Sequence, residues 1–272
     1  MTGPLISFLS DFGLRDPSAA IMHGVVLGIA PDARLVDISH EVRKFSIRDG
    51  ALLLWCALPY LPVGCHVAVV DPGVGTARLP IAIATGRGDV LIGPDNGLLV
   101  AAAAKLDGIA AAHILEASAY RLPVVSTSFH GRDIFAPAAA HLASGVALAQ
   151  LGPSIDPASL VPSPIREAVG RPGELSSSVV YVDTFGNVKL AGLRSDLEAA
   201  LGPLRPGDPL ELRMTGGPII ATTWEATFGD VPVGATLVYE DSYRRICLAA
   251  SQAAAAAIHG IVEDIDVVVR RA

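Results

Sequence analysis

Cysteine is scarce in this sequence, and what little there is forms no pattern. Cys56, Cys65 and Cys247 are odd in number and contain no CxxC pair. That excludes a disulfide framework and a zinc knuckle, and it predicts buried thiols in a reducing, cytoplasmic setting. Basic residues are outnumbered: 20 Lys and Arg face 27 Asp and Glu, for a formal net charge of −7. No basic run exceeds pairs such as Arg43-Lys44 and Arg244-Arg245. Without a basic stripe to neutralise phosphates, no nucleic-acid partner is expected. Apolar runs stay short of the ~18–20 residues a membrane-spanning helix needs. The opening MTGPLISFLSDFG has no basic region ahead of an apolar one, so neither a membrane segment nor a secretory leader is expected. The histidines (His23, His40, His66, His113, His130, His141 and His259) show no HExxH or HxH spacing, so no metal site is expected.

What is present is core-forming material. Hydrophobic residues make up 51% of the 272 and charged residues 17%, which suits a globular chain of one large or two ordinary domains. The first half alternates two periods. Strand-like runs are expected at 5–10, 35–39, 66–70, 79–85 and 90–92, and helical spacing at 18–29, 47–58, 97–106 and 134–144. Pro31 and Pro59 stop the first two helices. A strand and turn are expected at 126–132. Strands alternating with helices predict an α/β fold with a mostly parallel sheet. Residues 151–178 are dense in Pro, Gly and Ser and read as a linker. Beyond them lie short β-rich runs, with helical spacing at 251–258 alone, which predicts a smaller β-barrel-like or sandwich domain. The expected domains are 1–165 and 166–272.

Polar clusters fall where parallel sheets place their ligands, after the carboxyl ends of strands. They are SDFG (10–13) with Asp16 behind it, DPGVGTAR (71–78), GPDNG (93–97) and SFHGRD (128–133), with DTFGN (183–187) in the second half. GVGTAR nearly matches the dinucleotide fingerprint GxGxxG. Its third glycine is Arg78, however, and a strand rather than a helix follows, so no helix N-terminus is available for a pyrophosphate. Each cluster taken singly also suits an ordinary turn, because Asp, Asn, Pro and Gly are what turns require.

Together the segments SFLSDFGLRD (7–16), VDISHEV (36–42), IRDGALLL (47–54), VVDPGVGTAR (69–78), IGPDNGLL (92–99), SFHGRDIFAPAAAHLA (128–143) and VDTFGNV (182–188) resemble one family. It is the S-adenosylmethionine hydroxide adenosyltransferases, which are similar to the fluorinases and chlorinases. The resemblance implies adenosine-forming hydrolysis of S-adenosyl-L-methionine without metal or cofactor. It also implies a homotrimer with active sites at subunit interfaces. Asp71, Arg78 and His130 fall on the water-activating trio, and Asp11 on the carboxylate that holds the ribose hydroxyls. Asp16 and Asp183 fall near the methionine amine, Phe185 and Asn187 on the adenine positions, Ser242 near the methionine carboxylate with Tyr243 beside it, and Phe45 at an aromatic lid. The sequence departs from the family at Ser18 and His23, where Tyr and Lys are usual. It departs again at Asp241-Ser242-Tyr243-Arg244, where Asn-Ser-x-Gly is frequent.

Chemically, the substrate's sulfonium leaves as a neutral thioether, so neither a general acid nor a metal is needed. The task is to hold a weak nucleophile in line with the breaking C–S bond and draw off its proton. Two alternatives use the same substrate. A halogenase would need a pocket free of carboxylate beside the desolvated halide, which Asp71 opposes. A non-catalytic S-adenosylmethionine or adenosine sensor would keep Asp11, Phe185 and Asn187 without needing the trio.

Overall fold

The computed structural model describes residues 3–272. By internal packing the chain divides into two compact units, residues 1–164 and 165–272.

The first unit carries strands β1 (Leu5–Ser10), β2 (Arg34–Ser39), β3 (Cys65–Val69), β4 (Pro80–Thr85), β5 (Val90–Pro94), β6 (Ile109–Ile114) and β7 (Ser154–Ile155). They form one sheet in the order β2-β1-β3-β5-β4-β6-β7. The pairs β2/β1, β1/β3 and β3/β5 are parallel, whereas β4 is antiparallel to β5 and β6, and β7 is antiparallel to β6. Five strands therefore run one way and two, β4 and β7, run the other. Helices α1 (Ser18–Ile29), α2 (Ile47–Ala57), α3 (Val100–Lys105) and α4 (Ala136–Ala143) cover the sheet. β1 reads LISFLS and is buried at every position, as a central strand covered on both faces should be. Ile6 and Phe8 pack with Met22 and Val26 of α1 and with Ala136, Ala139 and Ala140 of α4. α2 starts at Ser46, whose hydroxyl caps the Asp49 amide.

The connections decide where a ligand can sit. β1 passes through α1 to β2 on one side, and the chain then crosses through α2 to β3 on the other side of β1. Strand order thus reverses at β1/β3, and a crevice opens beyond their carboxyl ends.

The second unit holds strands β8 (Val169–Arg171), β9 (Glu174–Val182), β10 (Val188–Leu193), β11 (Asp208–Met214), β12 (Ile219–Trp224), β13 (Thr236–Glu240), β14 (Arg245–Ala250) and β15 (Asp266–Arg271), with helices α5 (Arg194–Leu201) and α6 (Ala255–His259). Their order is β10-β14-β13-β12-β11-β15-β9-β8, and β9 also pairs with β10. Seven strands therefore close into a barrel, with β8 outside it. Leu175, Val179, Leu190, Leu212, Val238, Leu248 and Val269 fill its interior.

Some expected elements differ in detail. Residues 126–132 form no strand: a loop there leads into a π-type turn, Gly131–Phe135. The second unit has a helix, α5, that the β-rich reading passes over, and Asp196 caps it by accepting from the Leu193 amide at 2.7 Å. β6 and β10 are further strands the pattern did not mark. The presumed linker holds β7, β8 and the start of β9, because Pro and Gly here punctuate short strands rather than free chain.

A buried Ser-His-Asp line crosses the first sheet. Ser7 Oγ donates to His66 Nδ1 at 2.7 Å, and His66 Nε2 donates to Asp89 Oδ1 at 3.0 Å. Asp89 also accepts from Arg87 Nε at 2.7 Å and from the Gly64 amide at 3.2 Å. Burial alone would raise Asp89, but the bonds from His66 and Arg87 outweigh it and hold this carboxyl well below its usual range. Ser7 and Asp89 have no exposed surface, so no substrate can reach the serine and this line ties the sheet together rather than catalysing.

Candidate active site

Asp11, His40, Asp71 and Asn96 each follow the carboxyl end of a parallel strand, β1, β2, β3 and β5 respectively. The β1/β3 crevice is an open cavity of ≈ 390 Å³, walled by Asp11, Phe12, Lys44, Phe45, Asp71 and His130 among others.

Asp71 and Arg78 begin and end one tight loop. Arg78 Nε donates to Asp71 Oδ1 at 3.1 Å, and Arg78 Nη2 donates to Asp71 Oδ2. The pair is bidentate, which a lysine could not reproduce. It is also buried, with the Arg78 and Asp71 side chains 7% and 5% exposed. Arg78 Nη2 also reaches His130 Nδ1 at 3.0 Å. Guanidinium only donates, so Nδ1 accepts and the neutral ring carries its proton on Nε2. Burial first, and then the Arg78 charge, push His130 below its ordinary 6.5. The three residues predicted as a trio therefore meet at one wall of the crevice.

Local sequence explains how two distant loops meet. Gly75 has φ +76°, and a Cβ there would stand 2.4 Å from the Thr127 carbonyl oxygen. Only glycine lets the 71–78 loop lie on the 126–130 loop. That second loop is pinned by buried Asp133, whose Oδ2 accepts from the Ser126 amide and hydroxyl, both at 2.8 Å. The π-type turn then delivers His130 to the cavity, a frequent use of such turns.

On the facing side, Asp11 Oδ2 accepts from the Phe45 amide at 2.8 Å. Phe45 has φ +65°, a costly conformation for a residue with a side chain, and its ring is 71% exposed beside the cavity. Asp16 lies on the exposed stretch before α1 and does not line the cavity. Sequence reasoning missed Lys44, whose ammonium donates to the Asp11 carbonyl, and also missed Phe12 and Phe129, packed edge to face at 5.6 Å. Lys44 carried no signal beyond a basic pair.

In the second unit, Asp183 organises its own turn. Oδ1 accepts from the Phe185 and Asn187 amides and Oδ2 from Asn187 Nδ2, all at 3.0 Å. Gly186, at φ +81°, packs against Ala254, and Phe185 is left 78% exposed. Asp241 builds a second turn, accepting from the Tyr243 and Arg245 amides at 2.8 and 2.9 Å. Ser242 there is exposed and Tyr243 half-buried. Lys189, unmarked in the sequence reading, reaches Asp241 Oδ2 at 2.6 Å with its ammonium over the Tyr243 ring. Burial would lower Lys189, but the bond to Asp241 outweighs it and raises it above its ordinary value.

An α/β unit with a ligand crevice at its strand-order switch, joined in sequence to a closed seven-stranded barrel, defines a two-domain architecture with its polar turns gathered at strand ends. Residues 6–152 match the SAM hydroxide adenosyltransferase N-terminal domain and residues 177–268 match the C-terminal domain of the same family. The chain belongs to that family. It is 45% identical over 258 residues to an (R)-S-adenosyl-L-methionine hydrolase of Salinispora tropica, covering 95% of this chain and 94% of the other. It is 38% identical over 270 residues to the enzyme of the same name from Thermus thermophilus, covering 96% and 98%. Among solved structures, an uncharacterised conserved protein of Thermotoga maritima superposes with a TM-score of 0.91 at 31% identity, covering 98% and 100%.

Proposed function

We propose that this chain hydrolyses S-adenosyl-L-methionine to adenosine and L-methionine, by in-line attack of water on the ribose C5′. The observation that carries the reading is the buried Asp71–Arg78–His130 arrangement on the wall of the crevice. It is reinforced by relatives named for this activity.

The reaction forms a C5′–O bond as the C5′–S bond breaks. The sulfonium takes the bonding pair and leaves as a neutral thioether, and one proton must depart from the attacking water. Asp71 accepts that proton, because each carboxylate oxygen keeps a lone pair beyond its bond to Arg78. Arg78 fixes the carboxylate plane. His130, neutral and protonated on Nε2, donates a hydrogen bond to the water oxygen and aims its lone pair at carbon. General-base help of this kind is worth about 10²–10⁴-fold, and orientation contributes up to about 7–11 kcal/mol. Asp11 takes the ribose hydroxyls. Phe185 and Asn187 take adenine, Asp16 and Asp183 the methionine ammonium, and Ser242 and Tyr243 the carboxylate end, with Phe45 as a lid.

The same proposal includes a cytoplasmic homotrimer with active sites at subunit interfaces, and chemistry that needs no cofactor and no metal at the reacting carbon. Sizing by light scattering tests the assembly. Incubation with S-adenosyl-L-methionine in heavy-oxygen water tests the reaction: adenosine should carry the label and methionine should not. A 5′-halo-adenosine on adding halide, or tight binding without turnover, would replace hydrolysis by halogenation or sensing.

A further inference from the structure

Among the described residues, one cluster of side chains able to ligate a metal lies outside the trio, and no sequence spacing announces it. His23 on α1, Asp37 on β2 and His40 just past β2 bring three donor atoms within 4.8 Å of one another. His23 Nε2 donates to Asp37 Oδ1 at 2.8 Å. His40 Nε2 lies 3.0 Å from the same oxygen but off the line a hydrogen bond needs. That nitrogen belongs to a side chain 1% exposed, and it has no hydrogen-bond partner. A buried imidazole nitrogen lying close to a carboxylate and a second imidazole, with a hydrogen bond to neither, is left with unused bonding capacity.

We propose that His23, His40 and Asp37 form a site for one divalent transition-metal ion of the zinc class, distinct from the water-activating trio. Two imidazoles and a carboxylate suit zinc, cobalt or nickel better than magnesium or calcium, which prefer oxygen. Tetrahedral coordination at usual bond lengths needs donors about 3.3–3.4 Å apart. The two contacts to Asp37 would open by only a few tenths of an ångström. Movement is available, because Asp37 and His23 are 43% and 24% exposed at their side chains, which also leaves an entry path and a water position. The support behind the ligands is built in. His40 Nδ1 lies 2.7 Å from Ser10 Oγ, so with Nε2 on the metal the ring proton moves to Nδ1 and is donated to that hydroxyl. The His23 ring lies against Phe8, with centroids 4.7 Å apart.

The site adjoins the loop that holds Asp11. Ser10 Oγ also accepts from the Phe12 amide at 3.3 Å, and the Gly13 amide donates to the His40 carbonyl at 2.6 Å. An ion clamping α1 to β2 therefore stiffens the segment carrying Asp11 without touching the reacting carbon.

The test uses the full chain without a histidine tag, stripped with EDTA and dialysed. Zn²⁺ titrated by calorimetry should bind at one ion per chain, and Co²⁺ should give the visible absorption of low-coordinate cobalt with nitrogen ligands. His23→Ala and Asp37→Asn change partly exposed residues and should keep the fold. Each should weaken Zn²⁺ by more than the ~10–100-fold that losing a supporting contact costs. Ser10→Ala should fall within that range. Absence of Zn²⁺ binding to the unaltered chain, or affinity undiminished in either ligand variant, overturns the proposal. Because every readout is binding or absorption, it stands or falls separately from the hydrolase reading.

Discussion

Replacing Asp71 by asparagine keeps the outline of the side chain and removes its charge, and two separable losses should follow. The first is chemical. The amide cannot take the water proton, so turnover should fall by about 10²–10⁴, or about 2.7–5.5 kcal/mol in the barrier at 1.36 kcal/mol per decade. KM should hardly move, because Asp71 is assigned to the water and not to the substrate. The second loss is electrostatic. Arg78 is 7% exposed at its side chain and would keep a buried charge with no counter-ion. Breaking such a pair from one side costs about 3–5 kcal/mol. At about 2–4 °C per kcal/mol for a chain of this size, the melting temperature should drop by roughly 6–20 °C. The double variant Asp71→Asn/Arg78→Met removes the orphaned charge, so it should recover much of the melting temperature and none of the activity. Adenosine release measured by chromatography, with melting followed by circular dichroism, separates the two effects. Undiminished turnover in Asp71→Asn removes the carboxylate from the mechanism. A double variant that melts no higher than the single one refutes the buried-pair energetics.

Other outcomes follow from the same geometry. Gly75→Ala must push a methyl into the Thr127 carbonyl at a positive φ, so it should separate the Asp71 and His130 loops and lower kcat far more than it lowers expression or melting, as kinetics beside a melt would record. His130, His141 and His259 all lie below their ordinary 6.5, each with burial as the largest cause. The unfolded rings take protons first as the pH falls, so stability should decline from about pH 6.5 downward until the folded rings also protonate, while the acid limb of kcat/KM attributable to His130 should lie below 6.5. Melting curves and rate profiles between about pH 7 and about pH 5 check both. Asp89→Ala strands His66, Arg87 and the Gly64 amide at a position with no exposed surface, so it should cost at least about 3 kcal/mol in urea unfolding with KM unchanged.

Much of the first unit was legible in the sequence because its signals are local. β1 is a short apolar run, α1 carries helical spacing, and Asp11 and Asp71 sit directly after apolar strands. The barrel was harder. α5 is a short helix that buries only Leu197 and Ala200, and its start depends on Asp196 capping a backbone amide, which hydrophobic periodicity does not register. The loop at 126–132 looked extended because Asp133, which folds it, works through hydrogen bonds rather than through apolar alternation. Within the site, Asp71 and Arg78 share one loop and could be paired from spacing. His130 reached them only by resemblance. Lys44 and Lys189 could not be read at all, since each is defined by a partner distant in sequence, Asp11 and Asp241 respectively. The His23–Asp37–His40 grouping has the same origin: α1 meets the end of β2, and no motif joins the two.

The pairing of β9 with β10 turns the second sheet into a ring, and a ring constrains where novelty can enter. An inserted residue in any of the seven strands would shift the side chains beyond it between interior and exterior unless a bulge took it up, as the register shifts along β10 do. Hairpin tips carry no such penalty. The tips at 183–187 and 241–244, each braced by a single aspartate gripping neighbouring amides, are therefore where this half of the chain can vary its exposed side chains, such as Phe185 and Ser242, without disturbing the ring, as pegs on a hoop.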